Sequence, residues 1–353
     1  MDALEKTILS IDIGSQNTKI VEGKNIGGRV LINKIVSIQT PPDTFSDGQI
    51  TNKEKLKEAI NAVLKRENIK TKNVAFTLES TKIISREIVL PWAKPQELEQ
   101  IIGFEIGQYL PIEMDKYILQ YKIIDEIEEE GVKKVVISAV ALPRSISEGY
   151  LDLAKNMGLI PHFLDIHSNA VHKLLTPKTV VNDSYPLDDQ TIAAIDLGHQ
   201  FINITIIDKG QCEFSRLLNN GGKDIDTDIS DLFNISLDEA EAKKMEAKNI
   251  DYDTKSDVLT SPTDIIRKII SDWLEEIQKI FRYYTSRDVD NVVDCICIYG
   301  GSSNIEGIST YIQKFFNMPT FKTNSLSNVK FNNNSEENDI SSYVNAIGAI
   351  IRK

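Results

Sequence analysis

The sequence predicts an α/β protein built from two similar halves, and three observations lead to this prediction. Segments with strand-like and helix-like hydrophobic patterns alternate along the chain, as they do in α/β proteins. A length of 353 residues is too long for one ordinary core and fits two domains. Each half also opens with a short apolar strand, an aspartate–glycine turn and a second strand, at 8–19 and 193–207.

The composition is that of a soluble globular protein, with 41% hydrophobic and 26% charged residues. No apolar run approaches the roughly 20 residues that span a bilayer, and the N-terminus lacks a secretion signal. We therefore expect no direct membrane insertion. The net charge of -12 argues against a nucleic-acid partner, because binding to a phosphate backbone needs a basic surface.

The three cysteines are too few for a disulfide framework and lack metal-site spacing, which indicates the reducing cytosol. Cys295 and Cys297 alternate with isoleucines, so we expect them to be small core residues on one face of a buried strand.

The first half divides into a core and an inserted block. Residues 1–82 and 166–190 are predicted to form the core of a first lobe, with a helix at 53–67 and a strand at 74–78. Residues 83–165 read as an inserted subdomain of β-α-β-β-α-β order. Its first helix starts at Pro95, where a proline is tolerated in the first helical turn.

The second half, 191–353, is predicted to form the other lobe. A small helical subdomain is expected at 223–262, followed by a long amphipathic helix from 262 to about 286. A strand at 292–299 then leads into a glycine turn. The Asn/Ser-rich stretch 324–339 is expected to be mobile, and a last helix to start near Ile340.

The two aspartate–glycine turns carry the functional signal. They read DIGSQNTK at 12–19 and DLGHQ at 196–200. Turns of small residues direct backbone N–H groups at phosphate oxygens. Carboxylates suit Mg²⁺, which keeps several waters and also binds substrate phosphates. One such turn is common loop material, whereas two at the starts of similar halves predict a phosphate-bearing ligand between them.

Five separated stretches together resemble the actin-like ATPases. The turn at 12–19 is similar to their first phosphate loop, 196–198 to the second, and 299–307 to the adenosine loop. Residues 167–175 and 343–351 take the places of the two connecting helices. The resemblance covers nearly the whole chain. It implies the actin-like ATPase fold, two duplicated ribonuclease H-like lobes, with ATP and Mg²⁺ bound between them.

The resemblance also assigns roles to particular residues. Asp12 and Asp196 would hold Mg²⁺ through water, and Lys19 would meet the β- and γ-phosphates. Glu241 and Lys244 would hold the ribose or the base; a solvated helix surface is the alternative. The nucleotide-binding set is then Asp12, Gly14, Ser15, Gln16, Asn17, Thr18, Lys19, Asp196, Gly198, His199, Gly222, Glu241, Lys244, Gly300, Gly301, Ser302 and Ser303.

The inserted block indicates the branch of the superfamily. It resembles the subdomain shared by the cell-division protein FtsA and the PilM family of type IV pilus assembly proteins, and 97–112 and 117–121 are similar to the PilM pattern. FtsA-type proteins end in an amphipathic membrane-targeting helix, whereas this sequence ends at Arg352-Lys353 with no basic amphipathic extension. The PilM family is the better match. An FtsA-like cell-division protein, a chaperone-like relative such as EutJ, and an active ATPase or kinase of the superfamily are the alternatives.

The PilM resemblance implies a cytoplasmic scaffold of the pilus machine, involved in twitching motility and held at the inner face of the membrane by a protein partner. The implied partner is the cytoplasmic N-terminal peptide of a PilN-type membrane protein. Other pilus components and self-association are left open. We hypothesise that Phe104, Tyr109, Leu110 and Ile112 border the peptide groove; core packing is the alternative explanation for the apolar row of this helix.

Catalysis is where the sequence departs from its relatives. Ile202 stands where many carry threonine or serine, and His167 stands where many carry the glutamate that positions the attacking water. The candidate catalytic residues are Asp12, Asp196 and His167. A histidine can act as a base near neutral pH, or it can be structural. Because phosphoryl transfer depends on positioning and electrostatics, we expect tight ATP–Mg²⁺ binding and at most slow hydrolysis.

Overall fold

The computed structural model describes residues 6–109, 113–129, 131–247, 249–251, 261–332 and 339–352. The first part of the chain forms β1 (Ile8–Ile13), β2 (Asn17–Ile26), β3 (Arg29–Gln39), β4 (Phe45–Ser46), β5 (Gln49–Ile50), α1 (Lys53–Arg66) and β6 (Asn73–Leu78). Next come β7 (Ile84–Pro91), α2 (Pro95–Tyr109), β8 (Tyr117–Glu129), β9 (Val132–Pro143), α3 (Arg144–Asn156), β10 (Ile160–Ile166), α4 (His167–Leu174), β11 (Val180–Val181) and β12 (Tyr185–Pro186).

The second half repeats the opening meander. It forms β13 (Thr191–Leu197), β14 (Ile202–Asp208), β15 (Gln211–Leu218), α5 (Gly222–Phe233), α6 (Leu237–Met245), α7 (Pro262–Arg287), β16 (Cys295–Tyr299), α8 (Ile308–Phe316), β17 (Thr320–Lys322), β18 (Val329–Phe331) and α9 (Val344–Gly348). The last helix starts four residues after the predicted position. The stretch 324–339 was expected to be mobile, but its residues Val329–Phe331 form β18; residues 333–338 lie outside the described residues.

Two large sheets organise the described strands. The first has the order β10-β6-β1-β2-β3-β18 and the second the order β15-β14-β13-β16-β17. In each, an antiparallel hairpin is extended by a parallel strand: β6 lies beside β1, and β16 beside β13. Because parallel neighbours run in the same direction, the carboxyl ends of β1 and β6 lie at one edge of the first sheet. Those of β13 and β16 lie at one edge of the second sheet. These two edges carry the aspartate–glycine turns.

The helices pack as their hydrophobic patterns predict. Helix α1 is capped by the Asn52 side chain, which accepts a hydrogen bond from the backbone N–H of Lys55. Its apolar face is buried and consists of Leu56, Ile60, Val63 and Leu64. Helix α7 begins with a capping box between Ser261 and Asp264, and Pro262 follows the cap. Trp273, at its centre, is 1% exposed in the core of the second lobe. Burial of one such apolar side chain contributes about 1.5–3 kcal/mol.

The small helical segment of the second lobe is continuous with the lobe core. Ile225 and Ile229 of α5 and Ala240 of α6 are buried in the same cluster as Trp273 and the sheet residue Ile204. We predicted a small helical subdomain at 223–262 within the second lobe; residues 248 and 252–260 of it lie outside the described residues.

The insertion is smaller than the predicted block 83–165. Strands β7, β9 and β8 form a sheet of their own, and Leu98 and Ile102 of α2 are buried against it. By contrast, β10 pairs with β6, and α3 buries Ile146, Tyr150 and Leu153 in the core of the first lobe. The separate unit therefore spans 84–143. The reason is that α3 serves as the crossover helix that a parallel strand pair requires.

The two halves also share a core. Strand β18 pairs in parallel with β3 of the first sheet, although it lies late in the sequence. Helices α4 and α9 pack together so closely that a Cβ at Gly348 would lie 2.2 Å from the carbonyl oxygen of Ala170. Cys295 and Cys297 are buried in this shared core, as predicted from their alternation.

Among the described residues, no helix is both long and apolar enough to cross a membrane.

Candidate functional site

A cavity of about 630 Å³ lies between the two aspartate–glycine turns. Most of the predicted nucleotide-binding residues line it, although they come from distant parts of the sequence. They are Asp12, Gly14, Ser15, Gln16, Asn17, Lys19, Asp196, Gly198, His199, Gly222, Glu241, Lys244, Gly301 and Ser302. The volume is within the range of small-molecule sites, which is about 300–1,000 Å³.

The two turns have the same local geometry. The Gly14 N–H donates to the Asn17 carbonyl oxygen at 3.1 Å, and the Gly198 N–H donates to that of Phe201 at 3.1 Å. A Cβ at Gly14 would lie 2.7 Å from the Asn17 oxygen, and one at Gly198 would lie 2.6 Å from the Phe201 oxygen. Both turns therefore need glycine for close backbone approach, and this requirement is visible in the sequence.

His167 joins the two aspartates across the cavity. Its Nε2 lies 3.1 Å from Asp12 Oδ1 and its Nδ1 lies 3.7 Å from Asp196 Oδ2. Burial lowers the pKa of His167, but the two carboxylates outweigh this and raise the pKa to about 9. An imidazolium at neutral pH has no lone pair with which to take a proton from water. His167 is therefore a cation that holds the aspartates together, and its role as a base is not supported.

The two carboxylates differ in their electrostatic setting. Burial raises the pKa of Asp12, but His167 and Lys19 outweigh this and leave the pKa below its usual range. Burial leaves the pKa of Asp196 above its usual range, against the opposing effect of His167. The amide of Asn345 on α9 donates to Asp196 at 2.7 Å and fixes its position. Both groups supply the hard oxygen atoms that Mg²⁺ prefers.

Contacts across the rim join the two lobes. Ser15 Oγ lies 3.1 Å from His199 Nδ1, and the Gln16 amide donates to Glu241 at 2.8 Å. Burial, followed by the nearby Lys244, lowers the pKa of His199 to about 4. His199 is thus neutral at physiological pH and bonds with the Ser15 hydroxyl as a neutral ring.

The far end of the cavity is formed by the second lobe. Lys244 forms an ion pair of 2.6 Å with Asp226, a residue that the sequence analysis did not single out. Gly300 has φ +88° and approaches Asp196, whereas nothing lies within 4 Å of a Cβ placed on Gly301. Gly301, and not Gly300, is therefore the glycine beside open space where a nucleoside would pass.

Three predicted residues do not line the cavity. Thr18 is fully buried and shares a 2.8 Å hydrogen bond with Thr40, so it offers no hydroxyl to a phosphate. The Ser303 hydroxyl donates to the carbonyl oxygen of Gly300 at 2.7 Å. Gly300 lies behind Asp196. For Thr18 the reason is the alternation of the strand: it pairs with Ile13, so Lys19, the partner of Asp12, faces the cavity instead.

Comparison with known proteins identifies the family. The sequence model of the family described as “Type IV pilus assembly protein PilM” matches residues 10–353. The chain belongs to the PilM family. A PilM relative in a structure of the PilM–PilN type IV pilus biogenesis complex has a TM-score of 0.80 with this chain at 19% sequence identity, covering 97% of both chains.

More distant relatives share the fold. The ethanolamine utilization protein EutJ from Carboxydothermus hydrogenoformans has a TM-score of 0.55 at 12% identity, covering 98% of this chain and 89% of that one. MreB5 of Spiroplasma citri bound to AMPPNP has a TM-score of 0.50 at 13% identity, covering 99% and 95%. The cell division protein FtsA of Staphylococcus epidermidis is 23% identical over 88% of this chain and 72% of its own length. This member of the PilM family has the actin-like ATPase fold, which confirms the predicted fold class.

Glu79 and Asn203 are among the residues that line the cavity of this PilM-family chain and that sequence reasoning missed. Glu79 directly follows β6, the parallel neighbour of β1, and a carboxylate at that strand end was a readable signal. Asn203 pairs with Asp196 as Lys19 pairs with Asp12. Lys19 lies seven positions after Asp12, and the same spacing after Asp196 gives Asn203. Applied to the second turn, this spacing would have identified Asn203 instead of Ile202.

The predicted groove residues lie on the insertion. Phe104 of α2 is 67% exposed. Leu110 and Ile112 lie outside the described residues, as does the side chain of Tyr109, so the groove stays a prediction.

Proposed function

We propose that this chain is an ATP-binding member of the PilM family that acts as a nucleotide-dependent scaffold in type IV pilus assembly. The observation that carries the proposal is the pair of aspartate–glycine turns on opposite sides of one cavity. Turn backbones and the Lys19 ammonium, at one end, suit phosphates. Gly301 and the residues near Lys244, at the other end, leave room for a nucleoside.

Magnesium fits the donor chemistry if it arrives with the nucleotide. Within the part of the chain that the structure describes, no three His, Cys, Asp or Glu residues form a metal-binding cluster. Asp12 and Asp196 would therefore hold Mg²⁺ mainly through its water shell and the phosphates. The cation would supply charge neutralisation at the phosphates. In the structure, the same two carboxylates are bridged by His167.

Nucleotide binding is tested by titrating the protein with a fluorescent ATP analogue in the presence of Mg²⁺. Lys19→Ala removes a charged hydrogen-bond donor, which is worth about 1.5–3 kcal/mol, so affinity should fall about tenfold to a hundredfold. Lys24→Ala is the matched control, since Lys24 lies on the same strand outside the cavity. Lack of saturable binding by the wild-type protein would refute the proposal.

The expected partner is the cytoplasmic N-terminal peptide of a PilN-type membrane protein, which would hold the chain at the inner face of the membrane. The PilM–PilN complex among the similar structures supports this choice. The exposed Phe104 supports the insertion as the docking site, because large exposed aromatic side chains are common anchors of interfaces.

Peptide docking is tested by fluorescence anisotropy with a labelled peptide of this class. Phe104→Ala should weaken binding by about tenfold or more, as the loss of an aromatic anchor does. Phe315→Ala is the control, because Phe315 is a partly exposed phenylalanine on α8 of the second lobe. Equal affinities for the two variants would remove Phe104 from the docking site.

The curated relatives named FtsA favour a second candidate, a cell-division protein that acts on a membrane surface. Sedimentation with anionic lipid vesicles separates the two candidates. The pilus scaffold should stay in the supernatant unless the PilN-type protein is present in the vesicles, whereas an FtsA-like protein should sediment alone.

A further inference from the structure

Glu79 is a carboxyl group at the phosphate end of the cavity that the sequence analysis left without a role. It follows the last residue of β6, two positions beyond Thr77, which lies beside Asp12 in the sheet. It lines the same cavity as Asp12 and Asp196. Because His167 and Asp196 act on its charge, Glu79 lies at the end of the cavity where the proposed function expects the phosphates.

The Glu79 carboxyl group is held by both lobes. The backbone N–H of Ser80 donates to Oε1 at 3.1 Å, and the side-chain amide of Asn203 donates to Oε2. The Asn203 amide is itself oriented, because its oxygen accepts from the hydroxyls of Thr205 and Ser215, both at 3.2 Å. Its NH₂ group must then point at Glu79, so protein groups hold the carboxyl group in one orientation.

The charges around Glu79 suit a proton acceptor. Burial raises the pKa of Glu79 to about 7, while His167 acts in the opposite direction and Asp196 and Asp47 add to the rise. An acceptor is most effective when its pKa is near the working pH. Asp12 has a depressed pKa and His167 is already protonated, so neither is comparably suited.

Water can reach Glu79 from behind. A second cavity of about 360 Å³ meets the first at Glu79, Asn203 and Leu217. Its lining includes the hydroxyl-bearing residues Ser80 and Ser215. Hydroxyl groups in a cavity of this size can hydrogen-bond water that enters it. The carboxyl group is therefore placed between a water-accessible space and the nucleotide cavity.

We propose that Glu79 accepts the proton of the water that attacks the γ-phosphate of ATP, and that Asn203 positions Glu79 for this step. The water oxygen forms a bond to the γ-phosphorus, and the bond from that phosphorus to the β–γ bridging oxygen breaks. The water proton passes to Glu79, and the products are ADP and inorganic phosphate. The proposal deepens the proposed function and rests on ATP binding in this cavity.

Single-turnover hydrolysis of γ-labelled ATP, with protein in excess, tests the role of Glu79. Glu79→Gln keeps an acceptor for the Asn203 amide but cannot take the proton. The rate should fall about 100-fold, the lower end of what a general base contributes, while affinity for the ATP analogue stays within about threefold. Glu87→Gln is the control, because Glu87 lies on β7 outside both cavities and pairs with Arg287. Its rate should match that of the wild type.

The pH profile separates a proton acceptor from a structural residue. The wild-type rate should rise with pH and level off above about 7, where Glu79 is ionised. Asn203→Leu removes the hydrogen bond that favours the ionised form, so the midpoint of the profile should move to higher pH. A structural role would lower the rate without moving the midpoint.

Each outcome has one meaning. A Glu79→Gln variant that hydrolyses ATP at the wild-type rate overturns the proposal. A wild-type hydrolysis rate that does not change with pH near neutrality also overturns it. Binding without measurable wild-type turnover also overturns it but leaves the nucleotide-binding function standing. Absence of nucleotide binding overturns both.

Discussion

Replacing Gly300 with alanine would place a methyl group where Asp196 and Leu197 leave no room. Gly300 has φ +88° and ψ 174°, a conformation that is essentially restricted to glycine. A Cβ there would lie 2.2 Å from Asp196 Oδ1 and 2.9 Å from the carbonyl oxygen of Leu197. The backbone oxygen cannot move without disturbing the sheet, so Asp196 must shift, and its hydrogen bond from Asn345 is lost.

The expected cost follows from these two effects. The disfavoured backbone conformation costs about 1–3 kcal/mol. Loss of a buried hydrogen bond to a charged group costs about 1.5–3 kcal/mol. The free energy of unfolding of Gly300→Ala should therefore fall by about 3–5 kcal/mol. Affinity for the ATP analogue should fall as well, because Asp196 no longer faces Asp12 across the cavity.

The measurement is urea unfolding followed by circular dichroism, with Gly301→Ala as the matched control. Nothing lies within 4 Å of a Cβ at Gly301, so this variant should stay within about 0.5 kcal/mol of the wild type. The two variants differ by one position and carry the same added methyl group. Equal stabilities would refute the account of Gly300 as the glycine on which the position of Asp196 depends.

Three further predictions concern other parts of the molecule. Trp273→Ala should lower the unfolding free energy by about 3–5 kcal/mol in urea titrations, whereas Val289→Ala, at a 95% exposed site, should leave it unchanged. Lys173→Met should cost about 3–5 kcal/mol by the same assay, because it leaves Asp165 buried without its 2.5 Å partner; a cost under 1 kcal/mol would contradict this. The folded-state pKa of His199 is about 4, below its unfolded value of 6.5, so its contribution of up to about 3 kcal/mol is present above pH 6.5 and lost as the pH falls toward 4. In urea titrations between pH 7.5 and 4.5, the free energy of unfolding should fall less steeply with pH for His199→Gln than for the wild type. An equal dependence on pH in the two proteins would refute the lowered pKa of His199.

Local patterns were sufficient for the features that depend on short stretches of chain. The two turns need glycine at Gly14 and Gly198 because their backbones close within four residues, and this requirement can be read directly. The same holds for the start of α7 at Ser261 and Pro262, where a cap and a proline adjoin an apolar stripe. The pairing of two such turns was enough to predict a cavity between them.

The domain boundaries were harder because they depend on which sheet a strand joins. By pattern alone, β10 fits the insertion, and β18 lies within the stretch 324–339 that was expected to be mobile. In the structure, β10 pairs with β6 and β18 pairs with β3, so both strands join the first sheet. The choice of partner strand depends on contacts between distant parts of the chain, and local hydrophobic periodicity does not predict it.

By itself, the sequence determined the lobes, the two turns and the approximate set of residues around them, because turn chemistry and hydrophobic periodicity are local properties. The tertiary structure decided which groups meet. It placed His167 between Asp12 and Asp196, and it turned Thr18 away from the cavity. It also brought Glu79 and Asn203 together from opposite lobes. These outcomes depend on strand register and on the packing of one lobe against the other, which join residues more than 100 positions apart in the chain.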